Sequence, residues 1–86
     1  MPVVTIRWWA AAKAAAGCAE ETIEADRLDL ALGEARQRHA DSPDFARVLA
    51  RCSFLVDGVA VGSRPHNEVL LEDRVIVEAL PPFAGG

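Results

Sequence analysis

Polar and apolar positions alternate near the start of the chain. In residues 3 to 8, VVTIRW, the side chains of Val4, Ile6 and Trp8 fall on one side and those of Val3, Thr5 and Arg7 on the other. That period of two predicts a half-buried strand. From Trp9 the pattern changes. The run WAAAKAAA has strong helix propensity and meets Gly17, a natural stop, but it is too short to be stable alone and must pack on the rest. Residues 18 to 25, CAEETIEA, predict a second strand antiparallel to the first, centred on Thr22-Ile23.

A period near 3.6 follows. Leu28, Leu32, Ala35 and His39 share one helical face, and Asp26 and Asp29 are placed to cap or favour the positive end of this main helix. Ser42-Pro43-Asp44 predicts the start of a second helix, with Ser42 as N-cap and Pro43 in the first helical position. Its apolar stripe is Phe45, Val48, Leu49 and Cys52. Phe54-Leu55-Val56 and Val59-Ala60-Val61 then flank Asp57-Gly58, a preferred pair for a two-residue hairpin turn. After an irregular stretch from Gly62 to Asn67, Val75-Ile76-Val77 reads as a well-buried final strand.

Helices grouped between strand pairs define an α+β domain with a mixed sheet and helices on one face. The first and last strands are rich in β-branched residues, and the helices between them supply a crossover, so these two are expected to be the central parallel pair. This is the order of a ubiquitin-like β-grasp with four or five strands. Residues 1 to 80 form the expected domain and residues 81 to 86 a flexible tail.

Composition narrows the possibilities. With 86 residues the chain holds one small domain, and 16 of them are Ala, so large core side chains are fewer than the 51% hydrophobic content suggests. Lys13 interrupts the longest Trp/Ala stretch, which leaves no run long enough for a membrane span. Met1-Pro2 leads into strand-like residues rather than a basic region and an apolar core, so the expectation is a cytoplasmic protein. The net charge of −4 and the scattered basic residues disfavour nucleic acid as a partner. Cys18 and Cys52 match no metal or redox spacing and are expected to be buried, reduced thiols; two Cys and two His form no zinc set at ligand spacing. His39 lies on a helix stripe and His66 in a polar loop, with no Ser or Cys in a nucleophilic arrangement, so no catalytic residue is expected in this chain.

The C-terminal PPFAGG carries the most information. Pro81 and Pro82 cannot donate to a sheet, so they end the last strand and project Phe83, Ala84, Gly85 and Gly86 from the domain. Gly85 and Gly86 lack Cβ atoms, so such an end can thread a channel too narrow for other residues and carry the Gly86 carboxylate to a buried nucleotide.

Together with this tail, the sequence resembles the MoaD/ThiS family of small sulfur-carrier proteins, and most closely the MoaD-like small subunit of molybdopterin synthase. The likeness spans the chain: a first strand ending in Trp8-Trp9, a short helix with Lys13 that closes at Gly17, a capped helix, the hairpin at Val56 to Gly58, and the Pro-Pro-x-x-Gly-Gly end. The Pro-Pro pair favours the molybdopterin branch over the thiamine branch.

The resemblance implies a carrier rather than a catalyst. An ATP-using adenylyltransferase of the ubiquitin-activating type adenylates Gly86, and a sulfurtransferase supplies persulfide sulfur that leaves a C-terminal thiocarboxylate. The tail then enters the large subunit of molybdopterin synthase and gives its sulfur to the pterin precursor. On this view the protein binds no cofactor of its own, and ATP belongs to the activating partner. The family usually runs Asp-x-Val-x-x-x-Pro-Pro, whereas Asp73-Arg74-Val75 here is followed by five residues before Pro81, about two more than usual. An even insertion keeps the inside/outside phase of a strand. Trp9 and Leu80, flanking the tail, read either as core or as a partner-docking face, with Lys13 as a rim charge. The tail chemistry is shared by molybdopterin synthesis, by sulfur donation to a thiamine thiazole, cysteine, a specialised metabolite or tRNA, and by a ubiquitin-like protein modifier.

Overall fold

The computed structural model describes residues 1–82. Its elements, in chain order, are strand β1 (Val3–Trp8), helix α1 (Ala10–Ala16), strand β2 (Glu20–Glu24), helices α2 (Leu28–Arg38) and α3 (Phe45–Leu49), strands β3 (Ser53–Val56) and β4 (Val59–Ala60), a 3₁₀ turn (His66–Glu68) and strand β5 (Ile76–Leu80). The strands form a single mixed sheet in the order β2-β1-β5-β3-β4. The fold is α+β, a ubiquitin-like β-grasp.

β1 and β5 are the central parallel pair, with Thr5 opposite Ile76 and Trp8 opposite Ala79. Antiparallel β2 closes one side of β1, and β3 flanks β5. The start of the parallel pair is pinned by the Asp73-Arg74 turn. Asp73 Oδ1 accepts from the Val3 N–H at 2.8 Å, and the Arg74 N–H donates to the Val3 carbonyl at 2.8 Å.

Alternation places Val4, Ile6, Trp8, Ile23, Phe54, Val77 and Ala79 on the covered face of the sheet. α2 covers them with Leu28, Ala31, Leu32 and Ala35, Ala12 of α1 and Phe45 and Leu49 of α3 add to the buried layer, and Ala25, Val61, Val69, Leu71 and Val75 join it from the connecting segments. Each fully buried Ile, Leu or Val contributes roughly 1.5–3 kcal/mol of transfer free energy relative to an exposed one. Alanines at Ala31 and Ala35 make no deep knobs, so α2 can lie close to the sheet.

The expected ends of α2 and α3 need correction. Arg27, not Asp26, precedes α2 as its N-cap residue, and no side-chain oxygen caps it. Asp29 does lie in the first turn, where its charge favours the positive end, and its carboxylate is also engaged by Arg27, Nε at 2.9 Å and Nη2 at 3.0 Å. The Leu28 N–H is satisfied by the Val69 carbonyl, which makes a tertiary bond do the work of a cap. α3 begins at Phe45 rather than at Pro43, because Ser42 turns its hydroxyl to the Ala15 carbonyl at 2.9 Å and thereby ties the end of α1.

The β3–β4 turn follows the expectation from Asp57-Gly58, with φ of 48° and 80° at the two central positions. Asp57 also reaches beyond its own hairpin: Oδ1 accepts from the Ile76 N–H, and its N–H donates to the Ile76 carbonyl, both at 2.8 Å. This local turn is thus fastened to the first residue of β5.

Gly33 lies inside α2, and a Cβ built there meets nothing within 4 Å. Gly33→Ala is expected to stabilise the domain by about 0.5–1 kcal/mol, because it removes unfolded-chain entropy without strain. Urea unfolding of the two proteins checks this, and an unchanged or lower midpoint contradicts it.

Candidate functional site

The base of the C-terminal segment is set by the end of β5. Leu80 pairs with Ser53 of β3, and the Trp9 N–H donates to the Ala79 carbonyl at 3.2 Å. Beyond Leu80 the two prolines offer no N–H, which ends the ladder. Pro81 continues the inward phase of Val77 and Ala79 and is buried, whereas Pro82 is exposed. Phe83, Ala84, Gly85 and Gly86 lie outside the described residues.

Trp9 belongs to the surface. It is 43% exposed, so its core reading is not met, and its indole Nε1 donates to Glu78 Oε2 at 3.0 Å. That bond links the residue after β1 to the open face of β5. Leu80 is half-buried on the same outward phase as Ile76 and Glu78. Parallel pairing therefore brings Trp9, Leu80 and the prolines to one end of the sheet, although Trp9 and Leu80 are far apart in sequence. Lys13 is exposed on α1, one turn beyond Trp9, whose carbonyl its N–H approaches at 3.3 Å.

A groove of about 340 Å³ opens beside this exit, lined by Ala11 of α1, Arg47, Val48 and Arg51 around α3, and Pro81 and Pro82. Arg47 Nη2 holds Asp44 Oδ1 at 2.6 Å. The apolar stripe of α3 was legible in the sequence, but the approach of its basic residues to the prolines was not. Arg47 and Arg51 are four apart in sequence, the spacing of one helical face, which is the one local signal that could have drawn attention to them, although α3 ends at Leu49.

Elsewhere in the fold, three residue types with no meaningful sequence spacing converge. Glu21 of β2 accepts from Trp8 Nε1 at 2.7 Å, lies 2.6 Å from His39 Nε2 and receives the Cys18 thiol at 3.6 Å, all at Oε2. Arg38 Nη1 stands 3.4 Å from Oε1. Burial alone pushes the Glu21 carboxyl up, but the hydrogen bonds from His39, Trp8 and Cys18 and the attraction of charged His39 outweigh it and hold the group below the usual glutamate range. The His39 ring is oriented by Phe45, 4.5 Å away between centroids. Ligand atoms of Cys18, Glu21 and His39 all lie within 4.8 Å of one another. The absence of zinc-ligand spacing along the chain therefore did not reveal what the fold assembles.

Neither cysteine is fully buried, contrary to expectation, and both are free. Burial nevertheless pushes the Cys52 thiol up to about 11, and its Sγ donates to the Val48 carbonyl at 3.4 Å. Burial, the Glu21 charge and the hydrogen bond to Glu21 raise Cys18 as well. No helix among the described residues is long and apolar enough to cross a membrane.

This arrangement defines a small ubiquitin-like domain. Comparisons with solved structures agree. Small archaeal modifier protein 1 from Methanosarcina acetivorans superposes with a TM-score of 0.82 at 21% identity, covering 100% of this chain and 98% of that one. A putative molybdopterin converting factor subunit 1 from Pyrococcus furiosus gives 0.74 at 25% identity, with 96% and 100% covered. Subunits 1 and 2 of the molybdopterin-converting factor from Helicobacter pylori were solved as a complex. The matched chain in that structure gives 0.67 at 20% identity, with 98% and 99% covered. No protein-family model matches the sequence, and no curated protein matches it significantly. In its fold the chain is a MoaD/ThiS-like, ubiquitin-like small protein.

Because only the thiolate is an effective nucleophile, Cys52 in the folded protein is expected to react with a disulfide reagent at pH 7.5 about two orders of magnitude more slowly than free cysteine. Its rate should climb with pH toward 11, where burial has moved the titration. Stopped-flow measurements on Cys18→Ser, with and without denaturant, check this; a folded-state rate equal to that of free cysteine contradicts it.

Proposed function

We propose that this protein is a sulfur carrier for molybdopterin synthesis, with the C-terminal carboxylate of Gly86 as the reacting group. The observation that carries the reading is the run Pro81-Pro82-Phe83-Ala84-Gly85-Gly86 following the central strand of a β-grasp. Two prolines at the end of β5 stop the ladder, and two glycines at the tip suit a confined site.

The chemistry follows from the poor reactivity of a carboxylate. A Gly86 oxygen attacks the α-phosphate of ATP, held by a ubiquitin-activating-type adenylyltransferase. Pyrophosphate leaves and an acyl adenylate forms. The terminal sulfur of a persulfide on a sulfurtransferase then attacks the carbonyl carbon and expels AMP. A thiol cleaves the S–S bond of the resulting acyl disulfide, leaving the thiocarboxylate on Gly86 and a disulfide on the donor side. The sulfur rides on the terminal carbonyl, a role that asks nothing of Cys18 or Cys52. Catalytic groups and ATP reside on the partners.

The large subunit of a molybdopterin synthase is the proposed acceptor. Its support is the likeness to the Pyrococcus converting-factor subunit and to the Helicobacter chain solved with a second subunit. Trp9, Leu80 and Phe83 are the proposed apolar docking contacts, Lys13 a rim charge, and Pro81 through Gly85 the threading segment. A second reading, a protein modifier joined through Gly86 to lysine, is favoured by the likeness to the archaeal modifier protein.

Incubated with its activating enzyme, ATP and a persulfide donor, the protein is expected to gain the mass of one oxygen replaced by sulfur, mapped to Gly86. Deleting Gly86 or adding a residue after it should abolish the gain, because one residue misplaces the carboxylate by about 3.5 Å. The double change Cys18→Ser/Cys52→Ser should leave it intact. Sulfur found on a cysteine, or a gain that survives deletion of Gly86, overturns the carrier reading. Transfer of that sulfur to a pterin precursor by a co-purifying large subunit selects the molybdopterin branch, and isopeptide-linked adducts select the modifier.

Trp9→Glu is expected to weaken binding to the activating enzyme and to the acceptor by more than tenfold while the domain stays folded. Calorimetry with each partner checks this, and unchanged affinity removes Trp9 from the interface.

A further inference from the structure

We propose that Cys18, Glu21 and His39 form a binding site for a single zinc-class transition-metal ion. The three side chains come from separate parts of the fold: the α1–β2 loop, β2 and the end of α2. They supply a thiolate sulfur, a carboxylate oxygen and an imidazole nitrogen, the donor types zinc takes. Calcium and magnesium prefer all-oxygen shells, so this donor set selects a softer ion.

The geometry is close to what such an ion needs. Bonds of about 2.0–2.3 Å in tetrahedral directions put ligand atoms roughly 3.3–3.8 Å apart. Cys18 Sγ and Glu21 Oε2 already stand 3.6 Å apart. His39 Nε2 and Glu21 Oε2, at 2.6 Å, share a hydrogen bond that the ion would replace, and a small rotation of the carboxylate opens the distance. All three residues retain some exposure, which leaves a path for entry and a fourth position for water.

Groups around the site are already arranged as a supporting shell. Trp8 Nε1 and Arg38 Nη1 hold the two Glu21 oxygens from the protein side, and Phe45 fixes the plane of the His39 ring. One thiolate and one carboxylate neutralise a divalent ion beside a neutral imidazole. Binding displaces the proton of the Cys18 thiol, and any on His39 Nε2, to solvent. No metal participates in the carrier chemistry proposed for Gly86, so the two readings stand or fall separately. The site's effect is to cross-link the α1–β2 loop, β2 and the end of α2, a staple that a small core can use.

Titration of the reduced, full-length protein with Co²⁺ tests the site. The expected result is one equivalent bound, with tetrahedral visible bands and a near-ultraviolet thiolate-to-cobalt band, all displaced by Zn²⁺. Cys52→Ser should keep the spectrum, Cys18→Ser should lose the thiolate band, and His39→Gln should weaken binding at least tenfold. Nitrogen-detected NMR of the unmutated protein covers the case in which His39→Gln does not fold: Zn²⁺ should shift His39 Nε2 and leave His66 unmoved. Absence of the cobalt bands, a thiolate band that depends on Cys52, or a zinc shift at His66 alone overturns the proposal.

Discussion

The point at which the C-terminal residues leave the sheet depends on the parallel pairing of β1 with β5. The pair joins residues about 70 positions apart, so its closure carries the largest chain-entropy cost in the fold. Asp73, which takes the Val3 N–H, and Asp57, which takes the Ile76 N–H, register the two strands from opposite sides of β5. Once that register is set, the far end follows without freedom: Trp8 lies opposite Ala79, Trp9 reaches Glu78, and Pro81 leaves the sheet between β1 and β3. The position from which the C-terminal residues depart is therefore a consequence of hydrogen bonds made at the other end of the strand.

A one-sided sheet accounts for much of the surface. The covered face carries the large side chains, while the open face keeps Val3, Ile76, Leu55 and Leu80 partly or fully accessible among Arg7, Glu20 and Glu78. Mixed charge around scattered apolar groups keeps such a face in water and still leaves it able to dock. The edges are guarded differently. β4 is two residues long, and β2 carries Glu20, Glu21 and Glu24 while Arg38 Nη1 takes the Thr22 carbonyl at 2.7 Å, occupying an acceptor that another strand could have used.

The Glu21 cluster shows how a small domain tolerates polar groups next to its core. Trp8 is 1% exposed, yet its indole N–H has a partner, and no buried side-chain nitrogen or oxygen among the described residues lacks one. The acceptor that satisfies the Trp8 donor is the Glu21 carboxylate, which also engages His39 and Cys18. One buried polar atom thus gathers three neighbours, and the same convergence supplies the donor set of the proposed metal site.

Much of this was legible along the chain because it rests on short-range physics. Alternation in residues 3 to 8 states which side of β1 is buried, Gly17 ends α1 at a φ of 75°, and Asp57-Gly58 adopts the positive φ pair of its hairpin turn. The proline and glycine run after β5 is likewise a property of local covalent geometry. Tertiary structure decided the rest. The Leu28 N–H found the Val69 carbonyl, so α2 needed no cap from Asp26. Ser42 served the Ala15 carbonyl rather than α3, and Trp9 left the core. Cys18, Glu21 and His39 gained their relation only when β2 and α2 packed together. Local periodicity records which face of an element is apolar, whereas the partner of a given polar atom is chosen among all groups that folding brings within hydrogen-bond reach, and no spacing along a single segment encodes that choice.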